Sequence, residues 1–252
     1  MALSIIIPAY NERARIGKTL QEYGDYFDKD TEILVVINNT TDNTEEVVKS
    51  YQVKYPYIRY LNLKPGGKGF AVMEGFKEAL KNKDNSLIGF VDADLSTTPG
   101  EFAGLIPHVW DGCIASRYME QSIIEPAQPF SRRLASRVFN IIVTTLFWFK
   151  YSDTQCGCKV FQRYALEEVI DKIGVTNWAF DIDLLYNLHK AGFIIIEHPI
   201  KWANDENSKI NLKKSSIQML LACCRLRLVN SPFAFLAPIF RFMIRPIWRM
   251  VK

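Results

Sequence analysis

The chain has 252 residues, 48% hydrophobic and 23% charged, which supports a sizeable core and excludes global disorder. With 13 Gly and 11 Pro it is neither collagenous nor low-complexity, and its longest apolar stretches, 138–149 and 228–240, fall short of the ~18 residues a spanning helix needs. The net charge of +4 is unevenly placed: from Lys209 onward there are nine cations and no acid, so the first 208 residues carry a net of −5.

Met1-Ala2-Leu3 leads into an apolar pattern with no basic segment before it, so no cleaved signal peptide is expected. Ser4 to Pro8 is a short apolar run ending at Pro, the pattern of a buried parallel strand. Arg13 to Tyr26 has a helical pattern, and Glu32 to Ile37 is a second buried strand. Asp42 to Gln52 is a helix with Thr41 or Asp42 as cap, and Glu45 and Glu46 favour the positive end of its dipole. Ile58 to Leu63 is a weaker strand, Lys68 to Lys81 a helix, Ser86 to Val91 a strand and Gly112 to Ala115 another. This alternation predicts a parallel sheet with right-handed crossovers. Beyond it, Leu134 to Phe149 reads as a very apolar helix and Asp153 to Phe161 as a loop entering a strand. Trp178 to Lys190 reads as a helix, and Ile194 to Ile196 begins a strand. No linker or internal repeat interrupts the chain.

In such sheets ligands bind beyond the carboxyl ends of the strands. The residues there are Ala9-Tyr10-Asn11-Glu12, Asn38-Asn39-Thr40-Thr41-Asp42, Lys64 to Gly69 and Asp92-Ala93-Asp94. Polar and glycine-rich groups on one edge suit a nucleotide. Asp92 and Asp94, one residue apart, can share a hard divalent cation that neutralises a departing pyrophosphate; the alternative is a solvated turn. Gly66-Gly67-Lys68-Gly69 opens a helix and can approach phosphate, but it lacks Walker A spacing and is equally readable as a turn. Arg132 and Ser136 share a helical face and with Arg117 can clamp a phosphate, or form a solvated basic face. Asp181 and Asp183 point differently on a helix, so they are no matched acid–base pair; one can face a pocket, or both mark a surface helix start. The five Cys lack metal-site spacing and are expected to be reduced, buried thiols.

The basic tail is compatible with nucleic acid, a membrane surface or an unusual packing element, although it carries no nucleic-acid recognition module. Arg241, Arg245 and Arg249 would form one stripe on a helix that Pro238 and Pro246 interrupt, which favours lying in a membrane interface over spanning it. An oligomer contact through the same apolar face is the alternative.

Taken together, Ser4 to Glu12, Gly67-Lys68-Gly69 and Asp92-Ala93-Asp94-Leu95-Ser96 resemble the family-two inverting glycosyltransferases of the GT-A fold. Ser116-Arg117, Asp153 to Gly157, Trp178 to Asp181, and Trp202 with Ser208-Lys209-Ile210 are similar to dolichyl-phosphate glucose synthases, with the mannose synthases close behind. The resemblance covers about residues 3 to 212. It implies an α/β fold, a GT-A-type Rossmann-like, mostly parallel sheet flanked by helices, over 1–212, followed by a basic amphipathic helical tail over 213–252. It also implies a nucleotide-sugar donor, Mg²⁺ or Mn²⁺, and a polyprenyl phosphate acceptor at the cytoplasmic face of a membrane, with the protein peripheral and no nucleic acid involved.

By that resemblance Pro8, Tyr10, Glu12 and Asn39 line the donor's base and ribose, with Lys68, Asp92, Ala93 and Asp94 on its diphosphate. Asp92 and Asp94 hold the metal, and Arg117, Arg132, Ser136 and Lys209 receive the acceptor phosphate. Asp181 occupies the family's usual base position. The segments favour UDP-glucose, with GDP-mannose as the alternative donor. Rival expectations are a sugar-hydroxyl acceptor and a non-catalytic nucleotide-sugar-binding protein. Two positions depart from the family: Asn38-Asn39 replaces its acidic pair, and Asn207 replaces its Gly.

Overall fold

In a computed structural model of the chain, the described residues are 2–127, 129–174, 179–203 and 212–240, without the side chains of Ser131 and of 212–216. The strands are β1 (Ala2–Ala9), β2 (Thr31–Asn38), β3 (Ile58–Leu63), β4 (Asn85–Val91), β5 (Gly112–Ser116), β6 (Ile123–Glu125), β7 (Cys158–Gln162), β8 (Ile195–Pro199) and β9 (Lys201–Ala203). The helices are α1 (Ile16–Tyr26), α2 (Thr44–Lys54), α3 (Lys68–Lys81), α4 (Pro99–Leu105), α5 (Phe130–Phe147), α6 (Arg163–Val169), α7 (Phe180–Lys190) and α8 (Leu212–Val229).

Seven strands form one sheet in the order β3-β2-β1-β4-β7-β5-β8, and β6 pairs with β9 beside it. β1 to β4 are parallel, as the alternation predicts, but β7 runs antiparallel to both β4 and β5. β5 therefore points the same way as β4, and their carboxyl ends open on one edge. The side chains of the central strands alternate between two cores. Ile6, Leu34, Val36 and Ile88 face one, with α3, α7 and part of α5; Ile5, Ile7, Ile33 and Val35 face the other, with α1.

The expected elements are present, with shifted ends. α2 begins at Thr44 rather than Asp42. Asp42 Oδ1 accepts the Thr44 backbone N–H at 3.0 Å from outside the helix, and no side chain caps it from Asn43. α5 begins four residues earlier than the apolar pattern alone marks, directly after Pro129. α8 begins at Leu212, and its Cys223 and Leu226 are buried in the same core as Phe139 and Val143 of α5. The first part of the tail thus packs on the sheet-bearing body, while Arg241, Arg245 and Arg249 lie outside the described residues. No described helix is long and apolar enough to cross a membrane. All five Cys are free thiols, and burial pushes those of Cys113, Cys156 and Cys223 up to about 12.

Candidate active site

The residues that the resemblance assigns to a donor gather where β1, β2 and β4 end. Asn11 bridges the first two loops: its Oδ1 accepts from Thr41 N at 2.8 Å and from Asp42 N at 3.3 Å. It does so from a left-handed backbone, φ 52°, that Asn tolerates. Pro8 is half-buried at the end of β1, Tyr10 is 55% exposed beyond it, and Glu12 is tied to Arg15 at 2.7 Å. Asn38 is buried and donates its amide to Gly67 O at 3.2 Å, a bond an ionised aspartate cannot make. The departure from the family at this position therefore has a structural use, since it holds the turn that opens α3. Gly67 in that turn has φ 129°, a conformation that requires glycine. Asn39 is exposed on the same edge and packs against Gly66.

Lys68, the first residue of α3, reaches Asp92 Oδ1 at 2.5 Å. Asp94 follows two residues later, its Oδ1 accepting Ser96 N at 3.0 Å. Ala93 is buried between them, and its carbonyl accepts from Thr19 Oγ1 at 2.7 Å. Burial raises the Asp92 carboxyl above its ordinary value against the pull of Lys68, and the nearby Asp94 charge adds to the rise. Burial acts to lower the Lys68 ammonium, but Asp92 and then Asp181 outweigh it and hold the group above its ordinary value. Gly157 lies against this carboxylate; a Cβ there would come within 2.0 Å of Asp92 Oδ2.

Among the described residues no three His, Cys, Asp or Glu gather to hold a metal by themselves. Asp92 and Asp94 offer two carboxylates beside a lysine and a helix N-terminus. That set fits a hard cation completed by diphosphate oxygens and water, as Mg²⁺ prefers, and Mn²⁺ takes the same oxygen ligands.

Asp181, at the start of α7, is buried rather than on a surface. Its Oδ1 accepts from Lys159 Nζ at 2.6 Å, and the same ammonium donates to Cys156 O at 2.6 Å. Lys159 is fully buried above the Phe90 ring, the ring that Lys68 also approaches. Asp183 turns elsewhere, accepting from Gly174 N and the Asn187 amide at 2.8 Å each. The sequence reading missed Lys159; its signal was a lysine inside the apolar strand Cys158-Lys159-Val160-Phe161, where a charge needs a partner.

Arg117, directly after β5, donates Nε to Asp153 Oδ2 at 2.6 Å and Nη2 to Oδ1 at 3.0 Å, and its backbone N–H reaches Oδ2 at 3.1 Å. Burial works against both charges, but each holds the other: Asp153 sits below its ordinary value and Arg117 above. Glu197 of β8 accepts from the backbone N–H groups of Ser152 and Asp153, which fixes this loop. The Arg117 guanidinium also stacks near Tyr118 and Trp202.

Beside it opens a cavity of about 400 Å³ whose lining includes Arg117, Tyr118, Arg133 and Arg137. Arg133 and Arg137 were not anticipated from the sequence. Arg132 and Ser136 lie on the inward side of α5 and are half-buried, and Ser136 Oγ accepts from Tyr118 O–H at 2.8 Å. Neither belongs to the cavity lining. Trp178 and Lys209 lie outside the described residues.

These features define an α/β fold with paired carboxylates after a central strand and a basic cavity on the same edge. The "Glycosyl transferase family 2" profile matches residues 4–170, and the chain belongs to that family. It is 31% identical over 244 residues to the dolichyl-phosphate beta-glucosyltransferase of Dictyostelium discoideum, covering 89% of this chain and 73% of that protein. The Homo sapiens protein of the same name is 29% identical, over 86% of this chain and 72% of that one. Crystal structures of Mycobacterium tuberculosis glucosyl-3-phosphoglycerate synthase share the fold. One of them, a complex with Mn²⁺, UDP and phosphoglyceric acid, superposes with a TM-score of 0.69 at 16% identity, over 90% of this chain and 78% of that one. The fold is GT-A-like, and the chain is a glycosyltransferase.

Proposed function

We propose that this enzyme transfers glucose, with inversion, from UDP-glucose to a polyprenyl (dolichyl) phosphate at the cytoplasmic face of a membrane. The observation that carries the reading is the arginine-lined cavity on the carboxylate edge. Arg133 and Arg137 have no acidic partner among the described residues, and that suits an anionic acceptor. The relatives named as dolichyl-phosphate beta-glucosyltransferases support the same acceptor and sugar.

In this reading Pro8, Tyr10, Glu12 and Asn39 border the base and ribose, and Lys68 and the start of α3 take the diphosphate. Asp92 and Asp94 would hold the divalent cation, which supplies charge neutralisation to the leaving diphosphate. Arg117 is pre-set by Asp153, and with Arg133 and Arg137 it lines the cavity that receives the acceptor phosphate; the resemblance adds Arg132, Ser136 and Lys209. A phosphate oxygen attacks the anomeric carbon in line. The new C–O bond forms as the bond to the diphosphate breaks, and the electron pair leaves with UDP. The acceptor is already anionic, so no base has to remove a proton. The pairing of Asp181 with Lys159 agrees with that: the carboxylate is held as a fixed charge near Lys68 and Asp92.

The test is to incubate the purified protein with a panel of nucleotide sugars and polyprenyl phosphate and to weigh the product. A hexosyl phosphate lipid formed from UDP-glucose is expected. Transfer only to a glycan hydroxyl, abolished by Asp181→Asn, would overturn the acceptor; tighter calorimetric binding of GDP than of UDP would overturn the donor.

A further inference from the structure

Two arginines of the cavity meet at one ring. Tyr118, which lines the cavity with them, has the Arg117 guanidinium carbon 5.5 Å and that of Arg137 4.9 Å from its ring centroid. Its O–H reaches Ser136 Oγ on α5 at 2.8 Å, so the side chain spans from the end of β5 to that helix. The face of an aromatic ring carries negative charge density and attracts a guanidinium within about 6 Å. The two arginines are otherwise held very differently. Arg117 is fixed by both Asp153 oxygens and lies 5.3 Å from the Trp202 ring as well. Arg137 has no acidic partner among the described residues, and Arg133, four positions before it on α5, repels it.

A long cationic side chain left to itself samples many rotamers and moves away from like charges. The Tyr118 ring opposes both tendencies in Arg137, and it does so while touching the arginine that Asp153 has already set. We propose that Tyr118 is a positioning residue for the acceptor: its ring holds Arg137 beside Arg117, so that the two guanidiniums face one anion in the cavity. This rests on the proposed phosphate acceptor and deepens it, because it names the side chain that joins the two halves of the anion site, the end of β5 and the helix α5. The helix itself is anchored without the ring. Phe139 and Val143 are buried in the core, and the Asn140 amide donates to Tyr151 O at 3.1 Å. Loss of the ring therefore frees an arginine rather than the helix that carries it.

The test uses the full chain with Mg²⁺. Calorimetry reads the binding of a short, water-soluble prenyl phosphate, of inorganic phosphate and of UDP, and kinetics read transfer from UDP-glucose. Tyr118→Leu is expected to weaken prenyl phosphate binding and raise the acceptor KM about tenfold, the order of a partly desolvated cation–π contact, with kcat and UDP affinity little changed. Tyr118→Phe keeps the ring and should hold binding within about threefold of the wild type. In the Tyr118→Leu background, Arg137→Gln should cost little more, because the ring acts through that arginine. Should Tyr118→Leu unfold, fluorinated phenylalanines incorporated at position 118 keep the shape and drain charge from the ring face, and affinity should fall with each added fluorine. Wild-type affinity in Tyr118→Leu or with the fluorinated rings overturns the inference. So do equal losses for donor and acceptor, or a full further loss from Arg137→Gln. A wild type that binds inorganic phosphate through Arg137 but neither binds nor uses prenyl phosphate defeats the proposed acceptor alone, and the same Tyr118 comparison is then read with inorganic phosphate. A wild type that binds neither anion defeats both.

Discussion

Replacing Lys159 with Met tests whether its pair with Asp181 is a structural necessity of the candidate site's floor. Lys159 has no exposed side-chain surface and Asp181 has 8%, with 2.6 Å between them. Removing one partner of a buried pair leaves the other charge uncompensated, which costs about 3–5 kcal/mol. Cys156 O also loses its donor, for roughly 1–3 kcal/mol if no other donor replaces it. A domain has about 5–15 kcal/mol in total, so Lys159→Met should remove at least about a fifth of it. At about 2–4 °C per kcal/mol for a chain of this size, the melting temperature should drop by roughly 6–30 °C. Urea unfolding followed by tryptophan fluorescence, on Lys159→Met, Asp181→Asn and the double variant, closes a thermodynamic cycle. The double variant should be destabilised by well under the sum of the single losses, because neither charge is then stranded. Additivity within about 0.5 kcal/mol would refute the argument, since it would mean that the two groups do not depend on each other.

Three further outcomes are expected. Asp94→Ala should lower transfer by ~10²-fold or more with unchanged thermal unfolding, and excess chelator should do the same to the wild type; near-wild-type turnover in either case would contradict the metal assignment. Gly157→Ala should displace the Asp92 carboxylate, because its Cβ would sit 2.0 Å from Oδ2, so isothermal titration should show weakened metal and nucleotide binding while the strands stay formed. Asp153 has a folded-state value below its unfolded one, so its contribution to stability is complete above the unfolded value of about 4 and is lost as pH falls through the depressed folded value. Urea midpoints of wild type and Asp153→Asn should therefore differ at neutral pH and converge in acid.

The strand–helix alternation through Ser116 was legible in the sequence because parallel strands buried on both faces need unbroken apolar runs such as Glu32 to Ile37, and each crossover needs its own helix. The places of Lys68, Asp92 and Asp94 were legible for the same reason, since they follow strands whose carboxyl ends share an edge. Local pattern could not show that β7 enters between β4 and β5 in reverse, because a strand's direction is set by its neighbours' hydrogen bonds. That insertion places Lys159 over the Phe90 ring, within reach of Asp181, twenty-two positions along the chain. It also sets Gly157, the residue before β7, against Asp92.

The same limit applies to α5. Spacing put Arg132 and Ser136 on one face, but only the packing of Phe139 and Val143 decided that this face turns inward. The packing thereby left Arg133 and Arg137 to line the cavity, with Arg137 at the Tyr118 ring. By itself the sequence determined the order of elements and the kinds of charge each loop carries, because backbone periodicity and turn chemistry are local. Which charges meet, and which face of α5 turns to the core, was decided by tertiary structure, since both depend on segments far apart in the chain competing for the same buried space.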